Sequence, residues 1–267
     1  MQGIGVAGCG RMGAPMLAAL LRAGHQARGL DIRPSADFPG LPVSNDPKAF
    51  ADGLTTLISV VRDADQTDDL LFGAQNLSAA PALSTIILSS TLSPRYTRAL
   101  RDRIPDRIAL VDAPMSGAAI AAQEARLSFM LGGDPAVLAR LQPLFSAMGR
   151  HFHHMGHFGD GMAAKVLNNL LAASNTAMTR LVLDWADAQD IEEQKLLALI
   201  ETSSGQNWLA SGMNSIEFAR HGHDPENSIG ILVKDVAAAM DAAPDGADLT
   251  LPQTIQAALR TLRPRQG

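Results

Sequence analysis

Short apolar runs of strand length alternate with amphipathic stretches through the first half of the chain, and only helical periodicity survives in the second. Leu54–Val61, Thr85–Ser89, Ile108–Asp112 and Leu127–Leu131 read as buried strands, preceded by an apolar strand that enters a glycine-rich turn and by another that closes at Asp31. The helical segments between them have legible starts. Asn45-Asp46-Pro47 opens one after a connection rich in Pro34, Pro39, Gly40 and Pro42, and Ser93-Pro94 opens another, with serine as cap and proline in the first turn. From about Gly159 the character changes. Met162 to about Gln189, Glu193–Thr202 and Ile229–Met240 are apolar at helical period, Pro252 opens a last helix, and Arg263-Pro264-Arg265 reads as a frayed tail with solvated charges. The pattern predicts an α/β chain: a doubly wound parallel sheet over residues 1–160, then a smaller all-α domain over 161–267.

The turn after the first strand is Gly8, Cys9, Gly10, Arg11, Met12 and Gly13. Gly8 permits a tight bend, Gly10 lets backbone approach a pyrophosphate, and Gly13 allows close helix-to-strand packing. A helix beginning near Arg11 aims free N–H groups at the anion. Asp31, about twenty residues on with Ile32 and Arg33 beside it, is placed to take both ribose hydroxyls. The whole is a Rossmann-type dinucleotide site for NAD, and Arg33 over the adenine edge leaves NADP possible. Cys9 lies at a helix N-terminus, which favours thiolate, although filling a variable loop position is its simplest role.

In the second half, Lys165, Asn168, Asn169, Ala172, Asn175 and Thr176 form one small polar stripe, and Val166, Leu167, Leu170, Leu171 and Met178 cover the remaining circumference. Such a helix is expected to be buried. A lysine there is costly unless an anion or a reaction uses it. Partly desolvated, with its pKa lowered, it suits proton exchange with a substrate hydroxyl while hydride moves at the adjacent carbon. Asn169, one turn on, can hold the same oxygen without adding charge. A snorkelling lysine beside an asparagine cap accounts for these residues equally well. The helix exposes more apolar surface than Glu193–Thr202 and Ile229–Met240 can cover, which predicts a homodimer or higher homo-oligomer through the helical half. The substrate cleft is expected between the sheet domain and this helix.

Asp112-Ala113-Pro114-Met115-Ser116-Gly117-Ala118 follows a strand, where Ser116 and successive small-residue N–H groups form either a carboxylate nest or a tight turn. Ser89-Ser90-Thr91 ends another strand, beside a nicotinamide amide or as a turn former. Lys234-Asp235 is either a helix-surface pair or a charged contribution to the cleft. The block His151 to His157 contains no Cys, Asp or Glu and no H-x-x-x-H pair on a helix, so it is read as no metal site. No G-x-S-x-G elbow is present.

Composition narrows the partners. The 267 residues are 46% hydrophobic and 18% charged with a net charge of −5, which disfavours nucleic acid, and no apolar run is long enough to cross a bilayer. One cysteine excludes an intrachain disulfide. Met1 leads almost directly into the first strand, leaving no room for a leader, so a cytoplasmic location is expected.

Taken in order, these segments resemble the β-hydroxyacid dehydrogenases, the group containing 3-hydroxyisobutyrate dehydrogenase and related to 6-phosphogluconate dehydrogenase. Gly8 to Gly13 is similar to the family's G-x-G-x-M-G, Ser90-Thr91-Leu92-Ser93-Pro94 to its S-T-x-S-P, and Asp112 to Ala118 to its D-A-P-V-S-G-G. Gly159 to Asn169 is similar to its G-x-G-x-x-x-K-x-x-N-N, and Lys234-Asp235 to its K-D-L. The resemblance spans nearly the whole chain. It implies an NAD(P)-dependent dehydrogenase of a small 3-hydroxy acid, or a reductase of the matching semialdehyde. It further implies that Lys165 is the catalytic acid/base, that Asn169 orients the substrate, and that Ser116 with Gly117 binds its carboxylate. Thr91 and Lys234 would contact the nicotinamide half, and Val60, Val61 and Arg62 would lie along the cofactor.

Several positions depart from the pattern. Ala118 replaces a glycine, Met115 is larger than the usual valine, and Arg62 stands where proline is frequent and offers a cation to a larger or more acidic substrate. Asn168 replaces the histidine of phosphogluconate enzymes, whose long helical extension is absent, which disfavours that sugar phosphate. The chain also stops early for the family, shortly after Ala257-Ala258-Leu259. The alternatives are an imine reductase of the same superfamily, which usually lacks the lysine found at Lys165, and a non-catalytic NAD(P)-binding dimerisation module.

Overall fold

The computed structural model describes residues 1–266. They form two compact units that part between Lys165 and Val166. The first contains β1 (Ile4–Ala7), α1 (Gly13–Arg22), β2 (Ala27–Leu30), β3 (Val43–Ser44), α2 (Pro47–Ala51), β4 (Thr56–Ser59), α3 (Ala64–Leu71), β5 (Thr85–Leu88) and α4 (Pro94–Ala99). It continues with β6 (Ala109–Asp112), β7 (Met115–Ser116), α5 (Ala118–Gln123), β8 (Leu127–Gly132), α6 (Pro135–Met148) and β9 (Gly149–Gly156). Helix α7 (Asp160–Asp187) begins here and runs on into the second unit, which adds α8 (Glu193–Glu201), α9 (Trp208–Ser211), α10 (Ser228–Asp241) and α11 (Thr250–Arg260).

Six strands pair in parallel in the order β3-β2-β1-β4-β5-β6. Alternation along them builds two cores. Ile4, Val6, Ile58, Ile87 and Val111 meet Met16 and Leu17 of α1 and Leu141 and Phe145 of α6, whereas Ala7, Leu57, Ile86 and Leu88 meet Phe50 of α2 and Leu70 of α3. Gly5 sits on the second face because a side chain there would strike Phe50 and Leu54. The expected caps hold: Asp46 accepts the N–H groups of Lys48 and Ala49, and Ser93 those of Arg95 and Tyr96.

The parallel pattern gives way at one edge. After β7 and the six-residue α5 the chain turns back, so β8 runs antiparallel to β6 and β7, and β9 then pairs with β8 in parallel. Strand β9 has no counterpart in the apolar pattern because it is an edge, with polar side chains exposed on both faces. Strand order reverses at β1, flanked by β2 and β4, which leaves the crevice of a doubly wound sheet at the carboxyl ends of β1 and β4.

The second unit is helical and holds two small cores, one around Ala173, Ile229, Val236 and Leu259 and one around Leu183, Leu197, Leu209 and Met213. Two expectations are corrected. Helix α7 is covered on one side only: Val166, Ala173 and Leu183 are buried, but Leu167, Leu171 and Met178 are exposed, together with Leu181 and Trp185. The segment Arg263-Pro264-Arg265 is not a solvated tail. Arg265 donates its backbone N–H to Arg220 and pairs its nearly buried guanidinium with Asp184 (2.9 Å), Asp187 (2.7 Å) and Glu193 (2.7 Å). Arg180 donates to the carbonyls of Ala219, His221 and Arg263. Three carboxylates gathered by the α7–α8 corner supply a potential that fixes the arginine, and none of them is near it in sequence.

Candidate active site

The glycine turn leaves β1 at the crevice. Gly8 has φ +87°, and a Cβ on it would come within 2.8 Å of the Val60 and Val61 backbone, so the turn lies directly on the segment leaving β4. A Cβ on Gly13 would stand 2.0 Å from the Gly8 carbonyl, whereas one on Gly10 would meet nothing within 4 Å. Helix α1 starts at Gly13, two residues later than expected, with no side-chain cap and no acid in its first turn. The three glycines and the uncapped ten-residue helix form a cradle for the pyrophosphate of a dinucleotide.

Asp31 follows β2, and Arg33 is folded back onto it. The guanidinium donates Nε to Oδ1 at 3.0 Å and a second nitrogen to Oδ2 at 3.3 Å, reaches the Cys9 carbonyl at 3.1 Å, and stacks 4.6 Å from the centre of the Phe38 ring. Burial alone would raise the Asp31 carboxyl, but the hydrogen bonds and charge of Arg33 outweigh it and hold the group below its usual range. Ile32 between them is exposed. Cys9 is no thiolate: its sulfur is buried under the turn, donating toward the Val6 carbonyl, and burial pushes the thiol up to about 12.

Further sites flank the same end of the sheet. Thr91 follows β5, preceded by Ser90, whose buried hydroxyl has no hydrogen-bond partner among the described residues. Such a group is available to a bound amide. After β6, Ser116 is half-buried, Gly117 has φ +129° and Ala118 is left-handed at φ +57°. The methyl at Ala118 therefore occupies a position that favours glycine.

Lys165 lies in the second turn of α7 with 7% of its surface exposed. The first turn is anchored to β6: both oxygens of the fully buried Asp112 carboxylate accept backbone N–H groups, from Gly159 at 2.7 Å and Met162 at 2.5 Å. In the second unit, buried Asn169 donates Nδ2 to Oδ2 of Asp235 at 2.6 Å and accepts from Asn168 at 3.3 Å. Lys234 stands 3.6 Å from the other oxygen of Asp235. In the His151–His157 block, the His154 ring lies against the carbonyls of Gly133 and Gly156. No cluster of three metal-binding side chains occurs among the described residues.

Sequence comparisons decide the family. Residues 3–156 match the family described as the NAD binding domain of 6-phosphogluconate dehydrogenase, and residues 159–266 match the family described as NAD-binding of NADP-dependent 3-hydroxyisobutyrate dehydrogenase. The chain belongs to the β-hydroxyacid dehydrogenase family. Within it, an NAD-dependent L-serine dehydrogenase of Pseudomonas aeruginosa is 31% identical over 100% of this chain and 94% of its own length. A 3-hydroxyisobutyrate dehydrogenase of the same organism is 31% identical over 78% of this chain and 72% of its own. A solved structure, the Mycobacterium tuberculosis 3-hydroxyisobutyrate dehydrogenase with L-serine, superposes with a TM-score of 0.79 at 28% identity, covering 97% and 95% of the two chains. This family member is accordingly an NAD(P)-dependent oxidoreductase, and the glycine cradle suits that cofactor.

Unit one thus holds the glycine turn, Asp31, Ile32, Arg33, Val60, Val61, Arg62, Thr91, Ser116, Gly117 and Lys165, while Asn169 and Lys234 belong to unit two. Two residues escaped the sequence reading in their roles. Asp235 carried a signal, an acid within the apolar run Ile231–Met240. Asp112 carried none beyond its place in a motif, because its partners lie 47 and 50 residues away.

Proposed function

We propose that the enzyme moves hydride between NAD(P) and a small 3-hydroxy acid or its semialdehyde, with Lys165 as the general acid/base. The observation that carries this reading is the burial of Lys165 on a helix start bonded to the strand that leads into Ser116. A buried ammonium is costly unless a partner or a reaction uses it. When bound, the nicotinamide supplies the hydride acceptor in oxidation and the donor in reduction. Ser116 and the backbone of Gly117 hold the substrate carboxylate. In oxidation the neutral Lys165 amine takes the hydroxyl proton, and in reduction its ammonium returns one. Asn169, its amide fixed by Asp235, orients the substrate oxygen. The glycine turn from Gly8 to Gly13, Asp31 to Arg33, Val60 to Arg62, Thr91 and Lys234 serve the cofactor.

Relatives that oxidise L-serine, 3-hydroxyisobutyrate and L-threonate, and one that reduces 2-hydroxy-3-oxopropionate, support a short substrate bearing a carboxylate. The test is NAD and NADP reduction by L-serine, 3-hydroxyisobutyrate, L-threonate and 3-hydroxypropionate, and NADH and NADPH oxidation by 2-hydroxy-3-oxopropionate. Turnover with none of them, under conditions where NADH binds, would refute the reading.

The exposed face of α7 supports a homodimer. Leu167, Leu171, Ser174, Met178, Leu181 and Trp185 are spaced alternately four and three residues apart, the seam of a helix pair. No helix among the described residues is long and apolar enough to cross a membrane, and we read the enzyme as cytoplasmic.

A further inference from the structure

The carboxylate of Asp112 is held in a slot built for it. A Cβ on Gly132 would come 2.2 Å from its Oδ1, and one on Gly161 would come 3.0 Å from its Oδ2 and 2.4 Å from the Met130 carbonyl. Only glycine fits at either place. Each oxygen accepts one backbone N–H, so an amide, with a single acceptor oxygen, cannot replace it without turning a donor against a donor. The Met162 N–H is among the first of α7 and has no carbonyl partner within the helix; Asp112 caps it from another strand, where the helix dipole also favours negative charge. Two more ties hold the same turn. The Met162 sulfur accepts the Leu92 N–H at 3.3 Å, next to Thr91, and Asp160 pairs with Arg98 at 2.9 Å. Lys165 follows Met162 by three residues, less than one rigid turn.

We infer that Asp112 is a positioning residue for Lys165: by accepting the N–H groups of Gly159 and Met162 with both oxygens, it fixes the first turn of α7, and with it the proton-exchanging amine, against the ends of β5 and β6. The inference rests on Lys165 as the acid/base. Burial raises the Asp112 carboxyl to about 6, against the opposing hydrogen bonds of Gly159 and Met162, and the charge of Asp160 adds to the rise. Asp160 is itself held by Arg98 and the His157 backbone. Strands β5 and β8 bring no charged side chain, and Arg140 of α6 is exposed. As pH falls through about 6, Asp112 takes up a proton, one oxygen becomes a donor, and one N–H loses its acceptor. Turnover then falls while cofactor binding on the glycine turn persists.

The experiment compares Asp112→Asn, Asp160→Asn and Lys165→Ala with the wild type on the best semialdehyde in the reducing direction, where Lys165 acts as its ammonium and its own protonation adds no acid limb, measuring kcat against pH and NADH affinity by fluorescence. Asp112→Asn is expected to lose about tenfold to a hundredfold in kcat at neutral pH, the scale of a misplaced catalytic group, with NADH affinity kept and the acid limb abolished. Should that variant not fold, Asp160→Asn carries the test: removing the neighbouring charge moves the limb to lower pH, and an unmoved limb overturns the inference. An inactive Lys165→Ala beside an Asp112→Asn of wild-type kcat and pH profile overturns the positioning role alone. An active Lys165→Ala overturns the acid/base reading and the inference with it.

Discussion

Leu171→Asp is the substitution that most directly probes the exposed face of α7. The five apolar side chains on it, Leu167, Leu171, Met178, Leu181 and Trp185, are 61%, 67%, 60%, 41% and 62% exposed. Full burial of such a side chain contributes about 1.5–3 kcal/mol, so covering what remains open contributes about 4–9 kcal/mol per protomer. A two-fold pair doubles that, against roughly 4–15 kcal/mol for lost translational and rotational freedom. The seam is therefore of the right size to make a dimer once flanking contacts join it. Leu171→Asp removes about 1–2 kcal/mol per protomer and buries an unpaired carboxylate in each, at several kcal/mol per ion. At about 1.4 kcal/mol per decade, a combined loss of about 6 kcal/mol or more per dimer weakens association by roughly four orders of magnitude. Because Leu171 is exposed in the single chain, its replacement leaves the fold intact. Sedimentation velocity at low micromolar concentration is the assay: the wild type sediments as a dimer or larger and the variant as a monomer with an unchanged far-UV spectrum. A monomeric wild type, or a variant as dimeric as the wild type, would refute the reasoning.

If Asp31 serves the cofactor ribose as proposed, Arg33→Ala releases that carboxylate from its ion pair and removes the guanidinium beside it. Charged hydrogen bonds of this kind are worth about 1.5–3 kcal/mol, so the NAD-to-NADP ratio of kcat/KM is expected to rise about tenfold or more, and an unchanged ratio contradicts it. Arg265→Ala is expected to cost the helical unit about 2–3 kcal/mol through the loss of Glu193 alone, the exposed Asp184 and Asp187 adding little, and an unshifted melting curve contradicts it. Burial opposes ionisation of Glu193, but Arg220 and Arg265 prevail and hold its pKa below the usual 4.5. The stabilisation from this ionised carboxylate is thus present above that pH and lost as pH falls through the depressed value.

The parts legible in the sequence were those with local causes. Glycine geometry at Gly8 and Gly13, the caps at Asp46 and Ser93, and the alternation of buried strands with helices are written within a few residues of where they act. The parts that escaped depend on distant partners. Edge strand β9 has no buried face to impose a pattern, Arg265 is fixed by carboxylates about 70 to 80 residues away, and α7 is amphipathic enough to suggest burial on sides the chain leaves open. At the site, the polar stripe of α7 marked Lys165 as either buried or snorkelling and left the choice open, whereas the anchoring by Asp112 required the sheet edge to be in place.

Lys165→Ala in single-turnover and steady-state assays, with the best hydroxy acid from the panel, tests the central claim most directly. Loss of about 10² to 10⁴ in kcat is predicted, with NADH still bound and no rescue by Lys165→Arg, whose guanidinium keeps its proton. Turnover by Lys165→Ala close to that of the wild type would contradict it.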